Sequence, residues 1–131
     1  MSAFRGWGPV LPYALLIIAL SLLPSSEAEE HIIGMDKVYH ALAYGGLAWL
    51  LMRALSASMP GRKAPAVLAA FLAASVFGAF MEFLQSALTT TRTGDLYDAL
   101  ANGVGAALGL IAYQLAKPLR RSSLTSPEAR R

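Results

Sequence analysis

Ionisable and amide side chains interrupt the apolar stretches of this chain, and these are the residues that could do chemistry. They are His40, Tyr44, Glu82, Gln85, Arg92, Asp95, Asp98 and Asn102. In a bilayer centre an ionisable group costs about 2.5–3.5 kcal/mol on insertion scales, so such groups usually pair with one another and serve a function. A histidine beside carboxylates suits proton transfer, and an arginine suits phosphate or carboxylate binding.

The composition predicts an integral membrane protein. Hydrophobic residues make up 56% of the 131 positions and charged residues only 15%, against about 25% charged residues in soluble domains. The chain has no cysteine, which excludes disulfides, thiolate metal sites and cysteine nucleophiles. The net charge of +3 is not gathered into a compact basic domain, so nucleic-acid binding is not predicted.

Four apolar segments are long enough to approach the roughly 20 residues of a membrane span. They run over about 7–23, 38–55, 64–88 and 96–116. Turn-forming residues separate them, and Pro118 is predicted to stop the fourth helix. Because short connections make sequential helices antiparallel neighbours, the expected fold is all-α: an antiparallel bundle of four transmembrane helices over residues 1–116. Residues 117–131 are expected to be a disordered basic tail.

The basic residues predict how the chain is oriented. Nine of the eleven fall at the amino terminus, in the second connection or in the tail, while only Lys37 and Arg92 fall elsewhere. The positive-inside rule therefore places both termini in the cytoplasm and the first and third connections outside. Residues 1–28 also resemble a cleavable secretory signal, and this alternative stays open.

Helical spacing places the polar residues on one stripe per helix, because residues three or four apart share a face. The stripes are Lys37, His40 and Tyr44; Glu82 and Gln85; and Asp95, Asp98 and Asn102. With both termini inside, all three stripes fall in the outer halves of their helices. One outward-facing site is therefore predicted. The small residues Gly78, Gly105 and Gly109 are assigned to helix packing.

At these positions the chain resembles the VanZ-like family of small bacterial membrane proteins. The matching pattern is Asp36-Lys37-x-x-His40-x-x-x-Tyr44, then Glu82-x-x-Gln85, then Arg92-x-x-Asp95-x-x-Asp98-x-x-x-Asn102-x-x-Gly105. The resemblance implies a multi-pass helical protein of the bacterial cytoplasmic membrane. The family takes its name from a member linked to teicoplanin resistance, so the resemblance implies a location and a set of residues more than a reaction.

Binding of a lipid headgroup, a cell-wall lipid precursor or an amphipathic antibiotic is the expected function. The predicted ligand-binding residues are Asp36, Lys37, His40, Tyr44, Glu82, Gln85, Arg92, Asp95, Asp98 and Asn102. Lys37 and Arg92 either hold a phosphate or neutralise the nearby acids. Two alternatives stay open. One is an intramembrane enzyme acting on a lipid-linked substrate, with His40, Glu82 and Asp98 as catalytic candidates. The other is a structural or partner subunit whose polar network only specifies helix packing.

Neither a metal nor another cofactor is predicted. His40 could complete a three-ligand set with Glu82 and Asp98, but spacing in the sequence alone does not place the three side chains together. Membrane lipid is the expected partner. A homo-oligomer or a membrane partner protein stays open, because four short helices form only a small bundle.

Overall fold

The protein, described here by a computed structural model, is helical throughout its described residues. These are 6–23, 35–88 and 95–124, with side chains up to residue 116 in the last segment. The helices are α1 (Val10–Leu22), α2 (Met35–Ser58), α3 (Lys63–Leu88) and α4 (Leu96–Leu124), and no strand occurs within these ranges. The predicted all-α class with four helices is confirmed.

Two helix boundaries differ from the sequence prediction in ways that matter. Helix α2 already begins at Met35, so Asp36 lies in its first turn, where a carboxylate interacts favourably with the helix dipole. Helix α4 continues past Pro118 to Leu124. The prediction that Pro118 ends α4 is therefore wrong, while the disordered tail stays a prediction. An interior proline removes one backbone hydrogen bond and bends a helix without having to end it.

Helices α3 and α4 bury small residues and expose large ones. On α3, the residues Ala66, Ala70, Ala74 and Gly78 are buried, while Leu68, Leu72, Val76, Phe80 and Phe83 are at least half exposed. In a water-soluble bundle the large apolar side chains would be the buried ones. Small residues at helix contacts with large apolar residues outside are typical of helices packed in a membrane.

Two segments are long and apolar enough to cross a membrane, Lys63–Leu88 and Leu96–Ala116. Within their most apolar windows only 28% and 22% of the residues are buried, so most of this apolar surface faces outward. Helix α1 has 13 residues, fewer than the roughly 20 of a full span. Helix α2 has 24 residues but carries several charged residues. That all four helices span the bilayer stays a prediction.

Glycines bring α2 and α4 into close backbone contact. A Cβ on Gly105 would clash with the backbone of Ala41, and a Cβ on Gly109 would clash with the backbone of Gly45. The predicted packing role of the Gly105–Gly109 pair is thereby confirmed. This contact brings the first turns of α2 and α4 together.

Three hydrogen bonds attach the amino-terminal region to the other helices. Trp7 Nε1 donates to Ser58 Oγ (3.1 Å) and the Tyr13 hydroxyl donates to the Ala43 carbonyl (3.1 Å). Gln85 Nε2 donates to the carbonyl of Ser21 at 3.0 Å. The residues just before α1 therefore lie near the end of α2, Tyr13 of α1 lies against the first half of α2, and the end of α1 lies near the end of α3.

Candidate functional site

The polar stripes of three helices meet at one end of the molecule. The start of α2, the end of α3 and the start of α4 each contribute side chains, and these lie within ion-pair or hydrogen-bond distance of one another. We divide the resulting cluster by solvent exposure. The exposed layer is Asp36, Lys37 and Asp95, and the buried layer is His40, Glu82, Asp98 and Asn102.

Lys37 is the centre of the exposed layer. Its Nζ lies 2.8 Å from Asp36 Oδ2, 3.4 Å from Asp95 Oδ2 and 3.0 Å from Asp98 Oδ1. The side chains of Lys37, Asp36 and Asp95 are 38%, 52% and 40% exposed. Charges of both signs are therefore accessible side by side at this end of the helices.

These ion pairs shift proton affinities at the start of α2, before the predicted span begins at Val38. The hydrogen bond from Lys37 is the main cause that lowers the pKa of Asp36 below its ordinary value. The hydrogen bonds to Asp36 and Asp98 raise the pKa of Lys37 well above its ordinary value. Both groups are therefore charged at neutral pH.

His40 is the centre of the buried layer. Its Nδ1 lies 3.0 Å from Asn102 Oδ1 and 3.5 Å from Glu82 Oε1, while its Nε2 lies 3.7 Å from Asp98 Oδ2. Its side chain is only 16% exposed. Each ring nitrogen therefore faces a carboxylate oxygen contributed by another helix.

Glu82 connects the end of α3 to the start of α4. Its Oε2 accepts a hydrogen bond from the backbone N–H of Asp95 at 3.4 Å. Its Oε1 is buried and has no hydrogen-bond partner among the described residues. Asp95 Oδ1 in turn accepts from the backbone N–H of Tyr97 at 2.8 Å, which is the geometry of a helix cap. Asp95 thus begins α4, and Glu82 retains an acceptor oxygen for the buried layer.

Tyr44 and Asn102 form the floor of the cluster. The Tyr44 ring stacks on the His40 ring with centroids 6.4 Å apart and planes within 5°, and Asn102 is fully buried. A Cβ on Gly78 would lie 2.9 Å from Asn102 and 3.1 Å from Tyr44. Gly78 therefore belongs to the site as the position that lets both side chains pack against α3, a role that sequence reasoning assigned only to general helix packing.

Eight of the ten predicted binding residues lie in or directly against this cluster. Gln85 Nε2 donates to the Ser21 carbonyl on α1, and the predicted place of Gln85 in the site stays a prediction. Arg92 lies outside the described residues, so its predicted place in the site stays a prediction. A separate groove of about 630 Å³ lies between α3 and α4, lined by Lys63, Ala64, Val67, Leu68, Phe71, Ala107, Leu110 and Ile111. It shares no residue with the cluster.

Apolar outer faces on two helices, with a polar cluster between helices, are typical of a helical membrane protein. The VanZ/LLP1 family model matches residues 10–117, which cover most of the chain, and the protein therefore belongs to the VanZ/LLP1 family. The family resemblance predicted from the polar motifs is confirmed. No curated protein and no solved structure gives a significant match to the chain.

Proposed function

We propose that this protein is a multi-pass protein of the bacterial cytoplasmic membrane that binds the headgroup of an amphiphile from the outer leaflet. Its four helices pack antiparallel, both termini are cytoplasmic, and the polar cluster faces outward. The basic residues support this orientation, since nine of the eleven fall at the amino terminus, in the second connection or in the tail. The ligand class comprises membrane lipids, cell-wall lipid precursors and amphipathic antibiotics.

The observation that carries the proposal is the exposed layer of mixed charge. Lys37 offers a cation, and Asp36 and Asp95 offer carboxylates beside it, all partly open to solvent. A zwitterionic headgroup complements this layer, because its phosphate can meet Lys37 while its ammonium group donates to the two carboxylates. Since the described cluster contains four carboxylates and one lysine, a purely anionic headgroup fits it less well.

The charges therefore favour a headgroup with a primary ammonium group, of which phosphatidylethanolamine is the simplest example. Phosphatidylcholine has a cationic headgroup without an N–H donor, and phosphatidylglycerol has no cationic group. We expect protein extracted from vesicles of equal parts of the three lipids to retain phosphatidylethanolamine in preference, as measured by native mass spectrometry. Adding teicoplanin to the same vesicles tests the antibiotic as a competitor.

The variant that tests the site is Asp36→Asn with Asp95→Asn. Each charge-assisted hydrogen bond contributes about 1.5–3 kcal/mol, so the double variant should lose about tenfold or more of the preference. Glu29→Gln with Glu30→Gln is the matched control, because it removes the same charge from the first connection of the sequence and leaves every residue of the cluster unchanged. Equal preference in wild-type protein and the Asp36→Asn, Asp95→Asn variant would contradict headgroup binding. A retained lipid whose mass has changed would instead favour the enzyme alternative.

A further inference from the structure

Two buried side-chain atoms of this layer lack a hydrogen-bond partner among the described residues, the acceptor Glu82 Oε1 and the donor Asn102 Nδ2. Glu82 Oε1 is buried without a hydrogen-bond partner in the described chain, and its side chain is nine-tenths buried, at 9% exposure. A neutral imidazole carries one N–H, so one of its two nitrogens presents a lone pair. Because each His40 nitrogen faces a carboxyl oxygen, at 3.5 Å for Glu82 and 3.7 Å for Asp98, either tautomer directs a lone pair at an oxygen atom.

From this we infer that His40, Glu82 and Asp98 form a binding site for a divalent first-row transition-metal ion. One nitrogen or oxygen atom from each residue lies within 4.8 Å of the other two. With metal–ligand bonds of about 2.0–2.2 Å, the ligand atoms of a tetrahedral zinc ion are about 3.4 Å apart. Small rotations of the three side chains would therefore bring their ligand atoms within bonding distance of one ion.

The chemistry of the ligands selects the kind of ion. Imidazole nitrogen suits Zn²⁺, Fe²⁺ and Ni²⁺, whereas Mg²⁺ and Ca²⁺ prefer oxygen ligands alone. Three protein ligands leave a fourth position for water or a ligand oxygen, as in catalytic zinc sites. Asn102 completes the pattern, because its Oδ1 lies 3.0 Å from His40 Nδ1 and can orient the ring, as the outer hydrogen-bond partners of metal-bound histidines do.

The inference goes beyond the proposed headgroup site and does not depend on it. It concerns the buried layer, whereas headgroup binding is assigned to Asp36, Lys37 and Asp95. Metal binding is therefore measured in lipid-free detergent, and lipid retention is measured on protein stripped with a chelator. A negative result for metal binding therefore does not contradict headgroup binding, and a negative result for headgroup binding does not contradict metal binding.

The test uses the full chain with its affinity tag removed, stripped with a chelator and then incubated with Zn²⁺ in the presence of excess Mg²⁺. After gel filtration, elemental analysis gives the metal content, and competition with a chromophoric chelator gives the affinity. We expect one Zn²⁺ per chain. The isosteric variant Glu82→Gln and the variant His40→Gln should each bind at least about tenfold more weakly, because each lacks one of three ligands.

Two control variants separate this site from adventitious binding. His31→Gln removes the other histidine, and Glu29→Gln removes a carboxylate from the first connection. Both should retain wild-type affinity. Wild-type protein without zinc above the buffer level, or Glu82→Gln and His40→Gln variants that bind as tightly as wild type, would overturn the inference.

If the variants of the buried layer fail to fold, a measurement on wild-type protein alone still tests the inference. Co²⁺ in a tetrahedral or five-coordinate site with imidazole and carboxylate ligands absorbs visible light more strongly than hydrated octahedral Co²⁺. We expect the strong bands in the wild-type spectrum. A spectrum equal to that of Co²⁺ in buffer would show that the buried layer does not bind the metal and would overturn the inference.

Discussion

His40 lies where three helices meet, and both of its ring nitrogens face carboxylates. Glu82 and Asp98 come from α3 and α4, at 3.5 and 3.7 Å from the ring. Helical spacing predicted one polar stripe per helix, and the predicted topology put the stripes at one level. Spacing could not show that Glu82 Oε1 lacks a hydrogen-bond partner, because that depends on which rotamers the packed side chains adopt. The sequence therefore favoured no metal, and only the side-chain geometry supports one.

The long side chains were the least predictable part of the site. Lys37 was a candidate for phosphate binding or for neutralising acids, and its ammonium group contacts three carboxylates. Gln85 has the helical spacing of a site residue, yet its amide reaches α1. Spacing gives the face of a helix on which a residue lies, but a flexible side chain can choose among partners on that face.

Acidification should remove the ion pair between Asp36 and Lys37. Since Lys37 lowers the pKa of Asp36 in the folded protein, the pair stabilises the fold above the ordinary pKa of the carboxyl, and this contribution is lost as the pH falls through the lowered value. The pair is exposed, so it contributes at most about 1 kcal/mol. We expect Asp36→Asn to lower the melting temperature in detergent at neutral pH.

The pH profile distinguishes the ion pair from a local packing defect. The difference in melting temperature between wild type and Asp36→Asn should shrink below about pH 4, where the wild-type carboxyl takes up its proton. A difference that stays constant from neutral to acid pH would show that Asp36 acts through something other than its charge.

At the scale of the helices, small residues determine how closely the site residues approach. Gly105 and Gly109 lie against the backbone of α2, and the sequence pattern predicted this packing because small residues four apart form one smooth face. The number of helices was also predictable from the apolar segments. The end of α4 was not, because Pro118 permits either a stop or a bend and only the surrounding structure decides between them.

Adding one methyl group to this contact should separate α2 from α4. We expect Gly105→Ala to destabilise the protein by about 1–3 kcal/mol, because the new Cβ would clash with the backbone of Ala41. Relieving this clash requires the two helices to shift apart. Gly103→Ala is the matched control, since a Cβ there meets nothing within 4 Å and alanine favours a helix over glycine. Thermal unfolding in detergent measures both variants. Equal stability of the two would contradict close packing through Gly105.

At the scale of the whole molecule, the proposed function requires the polar cluster to face the outside of the cell. The apolar outer faces of α3 and α4 indicate a membrane protein, and the family match agrees with this. Side-chain packing alone does not distinguish the two sides of a membrane. The distribution of basic residues predicts the orientation, with the cluster at the outer face and Lys63 at the cytoplasmic face.

Thiol labelling in intact cells tests the outward orientation of the cluster most directly, because the chain has no cysteine of its own. Asp95→Cys introduces a thiol at the exposed layer, and Lys63→Cys introduces one at the opposite end of α3. We expect a membrane-impermeant maleimide to label Asp95→Cys in intact spheroplasts, and to label Lys63→Cys only after the cells are permeabilised. Labelling of Lys63→Cys in intact cells, with Asp95→Cys protected until permeabilisation, would contradict an outward-facing site.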